Sequence, residues 1–414
     1  MTATAHNPST TTNGTSHSDV APASGQQKHV KGEGIERFFR FHDHNLAAAF
    51  AKGKVPMTTL YEAYFDGKCD LVGDIYEFLA ERDRHVRYSV TGEHIKWLFS
   101  NFIPEVVVHS KAQDERVVRA HYDRGNDFFG AFLGDRMVYT AAYFQNGPKK
   151  STLEEAQDAK MNRVCQKALV EPGHKLLDVG CGWGTLTRQA AVKFGADATG
   201  VTISKNQTEF GNERLAKAGV TDRARVLCLD YRDIPNQKFD RITSLEMVEH
   251  VGVKNLPKFF SQMNDLLTDD GIFFLQWTGL RRGYGGKKHD PITGMRPEDL
   301  IWGLFMSKYV FPGADASLPL SGMLIQMEKA GFEIHSVENV SIHYAWTIKA
   351  WHDNWVSNKE QILASYGERW YRIWHMFLAW SVQIAHQGNA ACFQVVANKN
   401  RDKFDRAVFV GRDP

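Results

Sequence analysis

The chain has 414 residues, of which 43% are hydrophobic and 12% aromatic, enough for one large domain with an elaboration and a sizeable core. Lys and Arg number 50 against 48 Asp and Glu, a formal charge of +2, which excludes a basic face for nucleic acid. The five cysteines (Cys69, Cys165, Cys181, Cys228 and Cys392) form no CxxC pair. That pattern excludes a zinc site or disulfide framework and fits a reducing compartment.

No run of about eighteen apolar residues occurs, and the N-terminus has no apolar signal core. A soluble, cytoplasmic protein is expected. Residues 1–27 are rich in Ser, Thr, Ala, Asn and Gly and are expected to form a disordered tail. From 28 to 150 the pattern is helical (IERFFRFHDHNLAAAFAKG, TTLYEAYFDG, GEHIKWLFSNF). Residues 117–144 follow, crowded with aromatics around His121, Tyr122, Asp123, Asn126 and Asp127. They read either as a packed helix with a polar edge or as a lid over a ligand, since polar and apolar positions alternate irregularly.

A helix over 153–169 leads into KLLDVGCGWGT at 175–185. Here an apolar run ends in Asp178, Gly180, Gly182 and Gly184 come next, and helical spacing starts at Thr185. Strand, glycine turn and helix let a backbone approach a nucleotide closely. The spacing GxGxG is one residue shorter than a dinucleotide fingerprint, so the ligand expected is adenosyl, with no pyrophosphate to hold. Regular βα alternation continues, with strands at 198–203, 225–229, 239–245 and 271–279, and Ser204 capping a helix. Ligands bind outside the carboxyl ends of such strands, which gathers Asp178, Thr202, Asp230, Glu249 and Gln276 around one crevice. A nicotinamide enzyme would place an acid about twenty positions past the glycines. Here GVTIS stands there, with Gln207 as a substitute hydrogen-bonding partner. A further strand near 332–337 and a late one at 393–399, suited to an antiparallel edge, complete the domain at 151–400. Insertions at about 280–317 and 341–391 follow strand ends on the ligand face and should build the substrate pocket. Residues 401–414 are a tail.

LLDVGCGWG, VTISKNQ, LDYRD, EHVGVKN, HYDRGNDFF and MVYTAAYF together resemble the S-adenosylmethionine-dependent family of cyclopropane fatty acid synthases and mycolic acid methyltransferases. IWGLFMSKYVFPGADASLPL and YGERWYRIWHMFLAW most resemble its fungal sphingolipid methyltransferases, which methylate the double bond of a long-chain base. The resemblance covers about 112–399. It implies a Rossmann-like, seven-stranded class I methyltransferase sheet, of α/β class, with a helical N-terminal segment and cap insertions. It also implies that Tyr139, Thr140, Asp178, Gly180, Gly182, Gly184, Thr202, Ser204, Gln207, Asp230 and Tyr231 surround the cofactor. Glu249 and Tyr344 match positions that help hold a bicarbonate ion acting as base. Two positions depart from the family: its cysteine is Ala141 and its histidine is Gln276. The fungal branch usually carries N-terminal membrane spans, and this sequence shows none.

A sulfonium methyl group carries its own activation, so the protein must align it and exclude water. An alkene that accepts it becomes a carbocation, which aromatic faces and a carboxylate stabilise. A base then removes a proton to leave a cyclopropane or a methylated alkene. Glu249, alone or through bicarbonate, is the candidate for positioning that base, with Tyr344, Gln276 and His250 beside it. Loss of the cysteine and histidine favours simple methylation. The plainer readings are a Glu249 carboxylate facing a helix dipole, core roles for Tyr344 and for Trp346, Trp351, Trp355, Trp370, Trp374 and Trp380, a structural His250, and cysteines buried as small hydrophobes. The alternatives for the whole chain are a small-amine N-methyltransferase, a cyclopropane-forming synthase and a catalytically silent binder. Peripheral membrane contact would come from the basic stretch at 280–288 or from 35–50, each of which also reads as an ordinary loop or core-facing helix.

Overall fold

The computed structural model describes residues 34–97, 124–281 and 295–411. The expected N-terminal tail, His121, Tyr122, Asp123 and most of the basic stretch lie outside the described residues. Residues 35–97 were expected to be wholly helical, but four short strands are interleaved with the helices. β1 (Phe39–Phe41) pairs antiparallel with β3 (Cys69–Leu71), and β2 (Val55–Pro56) pairs parallel with β4 (Val86–Arg87). Strands of two or three residues show too little alternation to be read from sequence. The helices between them begin where their caps dictate. Asp43 accepts from the Asn45 and Leu46 N–H groups ahead of His44–Lys52, and Asp74 does the same for Ile75–His85. Ile35, Phe38, Phe39 and Leu46 are buried, so much of the apolar face of 35–50 packs into the core.

The central sheet has seven strands in the order β10–β11–β9–β8–β5–β6–β7. β5 (Lys175–Val179), β6 (Asp197–Thr202), β7 (Ala224–Cys228), β8 (Phe239–Leu245) and β9 (Leu267–Leu280) are parallel, as continuous apolar runs joined by helices require. β10 (Phe332–Asn339) and β11 (Ala390–Lys399) are antiparallel additions. The expectation of an edge strand at 393–399 is corrected: β11 lies between β9 and β10, and β10 forms the edge. The β11 polar residues Gln394, Asn398 and Lys399 are buried. Gln394 bonds to Gln276 at 2.9 Å, and Asn398 meets His335 across the β10 pairing.

The chain runs outward from β5 through β6 to β7, then returns to the other side of β5 as β8. The strand order therefore reverses between β5 and β8, and the crevice outside their carboxyl ends is the ligand position of such sheets. The second insertion is two long helices, Ser341–Ser357 and Lys359–His386, the latter bent at Gly367. They share one apolar core with the N-terminal helices, in which Trp351, Trp355, Trp374 and Trp380 are buried. Arg372 fastens the two regions, donating to the Tyr64 and Cys69 carbonyls at 2.8 Å each and to Asp70 at 2.6 Å. Among the described residues, no helix is long and apolar enough to cross a membrane.

Candidate active site

Gly180, directly after β5, has φ of 76°, and a Cβ there would stand 2.5 Å from Met247 Cγ. Only glycine permits both the left-handed turn and the close approach of the two strand ends. Above this turn lies a cavity of about 160 Å³ lined by Tyr139, Thr140, Asp178, Gly180, Gly182, Thr202, Gln207, Asp230 and Tyr231. Nine of the eleven residues expected around the cofactor thus share one cavity. The other two shape its walls. Gly184 caps the Thr185–Phe194 helix in the left-handed region, and the Ser204 hydroxyl accepts from Gln207 N–H at the start of the Lys205–Lys217 helix. Asp178 is buried, accepting from the Thr187 and Thr243 hydroxyls at 3.1 Å each, and burial pushes its carboxyl up to about 6. Gln207 accepts from the Thr202 hydroxyl at 2.6 Å, and Asp230 holds Arg232 through both carboxylate oxygens at 2.8 and 2.7 Å.

A second cavity, of about 230 Å³, adjoins the first. Its walls are largely apolar, with Leu300, Trp302, Leu304, Phe311, Ile348 and Trp351 among them. Both insertions contribute, as the sequence led one to expect. Tyr139, Glu246 and His250 line both cavities, so the two meet at these side chains. Aromatic rings surround the junction: Tyr139 stands 5.5 Å from Trp351 and 5.8 Å from Phe311, and Tyr344 stands 6.0 Å from Trp351. Of the six tryptophans read as core, Trp351 is buried and also forms part of this wall.

Glu246, the first residue past β8, lines both cavities and was not among the site residues expected from the sequence. It is a non-glycine residue at φ of 53°, a conformation that costs free energy and collects at functional sites. Its Oε1 accepts from Gln276 Nε2 at 2.6 Å, the Thr140 hydroxyl at 2.7 Å and the Ala141 N–H at 3.2 Å, with the Cys392 thiol at 3.6 Å. Its Oε2 accepts from the Tyr344 hydroxyl at 2.7 Å. Behind Thr140 stands the Lys160 ammonium, 3.1 Å from the hydroxyl, buried and pushed down to about 8 by its burial. Gln276 lines neither cavity. It joins Glu246 to Gln394. The available signal was an acid at a strand end beside the order reversal, but nothing in SLEMVEH ranks Glu246 above Glu249.

Glu249 is enclosed by protein and faces the second cavity. Oε1 accepts from the Thr278 N–H at 2.7 Å, and Oε2 has no hydrogen-bond partner among the described residues. Burial, reinforced by the charge of Glu246, pushes its carboxyl up to about 8. Tyr344 is held neutral, because burial and the neighbouring Glu246 raise its phenol well above the usual range.

A glycine turn at the order reversal of such a sheet, opening into an apolar second cavity, is the arrangement of an S-adenosylmethionine-dependent methyltransferase. Residues 109–395 match the family described as mycolic acid cyclopropane synthetase, and the chain belongs to that family. It is 44% identical to a sphingolipid C9-methyltransferase of Komagataella phaffii, over 95% of this chain and 80% of that protein. It is 45% identical to sphingolipid C9-methyltransferase A of Emericella nidulans, over 92% and 73%. Among solved structures, a mycolic acid cyclopropane synthase complexed with S-adenosylhomocysteine and CTAB superposes with a TM-score of 0.64 at 29% identity, covering 69% of this chain and 98% of that one.

Proposed function

We propose that this methyltransferase adds a methyl group to an alkene carbon of a long-chain lipid, a sphingoid base in the first instance, and leaves a methylated alkene. The observation that carries the reading is the meeting of a polar cavity over the glycine turn with an apolar one at Tyr139, Glu246 and His250. The names of its relatives supply the substrate class.

The turn fits S-adenosylmethionine, since Gly180 has no room for a Cβ and the surrounding polar groups suit an adenosyl and amino acid ligand. Tyr139, Thr140, Asp178, Gly182, Thr202, Gln207, Asp230 and Tyr231 would hold it. When bound, S-adenosylmethionine supplies a methyl group made electrophilic by its sulfonium charge. The apolar walls exclude water and place the lipid double bond against the junction. Tyr139, Phe311, Trp351 and Tyr344 line the cavity, where aromatic rings would stabilise the positive charge that develops on the neighbouring lipid carbon. Glu246 sets a fixed negative charge at the same place.

Bicarbonate does not fit the site. The Tyr344 hydroxyl, Ala141 N–H and Gln276 amide, the donors that would face a small anion, are all engaged by the Glu246 carboxylate. No step is assigned to it.

The test is mass spectrometry of total lipids from cells with and without the protein, fed methyl-labelled methionine. The expected result is a labelled unsaturated lipid heavier by about fourteen mass units, with fragmentation placing the methyl on the chain. Absence of any labelled lipid, with cofactor binding intact, would overturn the reading.

A further inference from the structure

We propose that the carboxylate of Glu246 is itself the base of the reaction, a side chain standing where the family resemblance calls for a bound anion. This rests on the alkene-methylation reading above and assigns its proton acceptor.

Three observations lead to it. The first is position: Glu246 follows β8 at the reversal of strand order and lines both cavities, so its carboxylate borders the place where methyl donor and lipid must meet. The second is its environment. Hydroxyl, amide, backbone N–H and thiol donors converge on the two oxygens, as they would on a small oxyanion. The positions that depart from the family motif, Ala141 and Gln276, are two of those donors. Ala141 leaves only its backbone N–H facing the carboxylate, and Gln276 offers an uncharged amide. The third is backbone cost. Glu246 keeps a left-handed conformation despite its Cβ, and Glu246 N–H is held by the Gln276 carbonyl at 2.7 Å. A glycine would adopt that conformation freely, so the side chain is retained against a local penalty.

The chemistry balances without another reactant. The alkene electron pair forms the new C–C bond while the S–C bond breaks and its pair stays on sulfur. The adjacent lipid carbon is then positive. The C–H bond on the methylated carbon breaks, its pair closes the double bond again, and the proton passes to Glu246. The proton is returned to water when the product leaves. A C–H beside a carbocation is so acidic that a well-placed weak base suffices. The many donors around Glu246 fix its position and do not disable it. Among the described residues, Glu249 accepts from the Thr278 N–H on one oxygen and has no partner on the other, so it carries no comparable set of donors.

The experiment compares wild-type protein with Glu246→Gly and Glu246→Gln in buffer stripped of carbon dioxide, using the purified enzyme and an unsaturated sphingoid lipid. Wild-type turnover is expected to be indifferent to added bicarbonate. Both variants are expected to lose about a hundredfold or more in kcat while still binding S-adenosylhomocysteine in calorimetry. Glu246→Gly, which opens the anion position, is expected to regain activity with added bicarbonate or formate. It should also broaden the 13C resonance of labelled bicarbonate, which the wild-type protein should not. A bicarbonate requirement or bicarbonate binding in the wild type would overturn the proposal. So would wild-type turnover by Glu246→Gln, or failure of both anions to rescue a glycine variant that still binds S-adenosylhomocysteine. Wild-type enzyme that methylates no unsaturated lipid would instead sink the functional reading beneath it.

Discussion

Replacing Glu249 with Gln is expected to stabilise the protein, by an amount that grows as the pH rises. Burial and the charge of Glu246 move this carboxyl from an ordinary 4.5 to about 8. Between those values the folded protein retains a proton that the unfolded chain has released. Folding stability due to this group is therefore complete below pH 4.5 and is lost as the pH climbs through 8. The interval of roughly 3.5 pH units, at about 1.4 kcal/mol each, sets an upper bound near 5 kcal/mol. The effective dielectric of a protein interior is well above that of a dry medium, which reduces the expectation to roughly 2–3 kcal/mol at pH 9. The amide of Gln keeps an oxygen for the Thr278 N–H and adds no charge. Urea unfolding of both proteins at pH 5, 7 and 9 measures the difference, expected within about 1 kcal/mol at pH 5 and widening steadily. A difference that stays constant across the three pH values would refute the reasoning.

Other outcomes follow from the same geometry. Gly180→Ala forces a Cβ against Met247 in a left-handed turn, which costs about 1–2 kcal/mol in backbone alone. Calorimetry should show S-adenosylhomocysteine binding weakened about tenfold or more, and unchanged affinity would contradict this account of the turn. Tyr344→Phe removes the donor to Glu246 Oε2 and should lower kcat by roughly 10- to 100-fold, with the lipid KM little altered. A change confined to KM would show that Tyr344 only lines the cavity. Ala385 lines only the apolar cavity. Ala385→Trp should raise the lipid KM by about tenfold or more while S-adenosylhomocysteine affinity stays within about twofold, and equal losses in both would point to misfolding.

The parallel strands and the glycine turn were legible because each is written locally. Apolar runs end at Asp178, Thr202 and Leu245, and Ser204 announces the next helix. β11 was expected at an edge, and no local pattern tells that Gln276 and His335 await Gln394 and Asn398. The four short strands before residue 90 are pairings between segments some thirty residues apart, and three residues of alternation do not reveal them. Glu246 was hidden for a related reason. Its importance lies in donors drawn from residues 140, 141, 276, 344 and 392, which only the folded chain assembles. Its left-handed backbone likewise leaves no mark in a sequence where glycine is the usual signal.

The position of β11 in the sheet also governs the order in which the protein is made. β5 to β9, with the glycine turn, are complete once residue 280 has left the ribosome. The outer edge of β9 then waits, unpaired, for β11, which is synthesised only after both long cap helices. Such an edge invites pairing with other chains while it is open. The same hundred or so residues that close it also carry the walls of the lipid cavity. A nascent chain therefore gains its acceptor pocket and loses its most adhesive surface in a single late event, and the cofactor half must hold its shape until then.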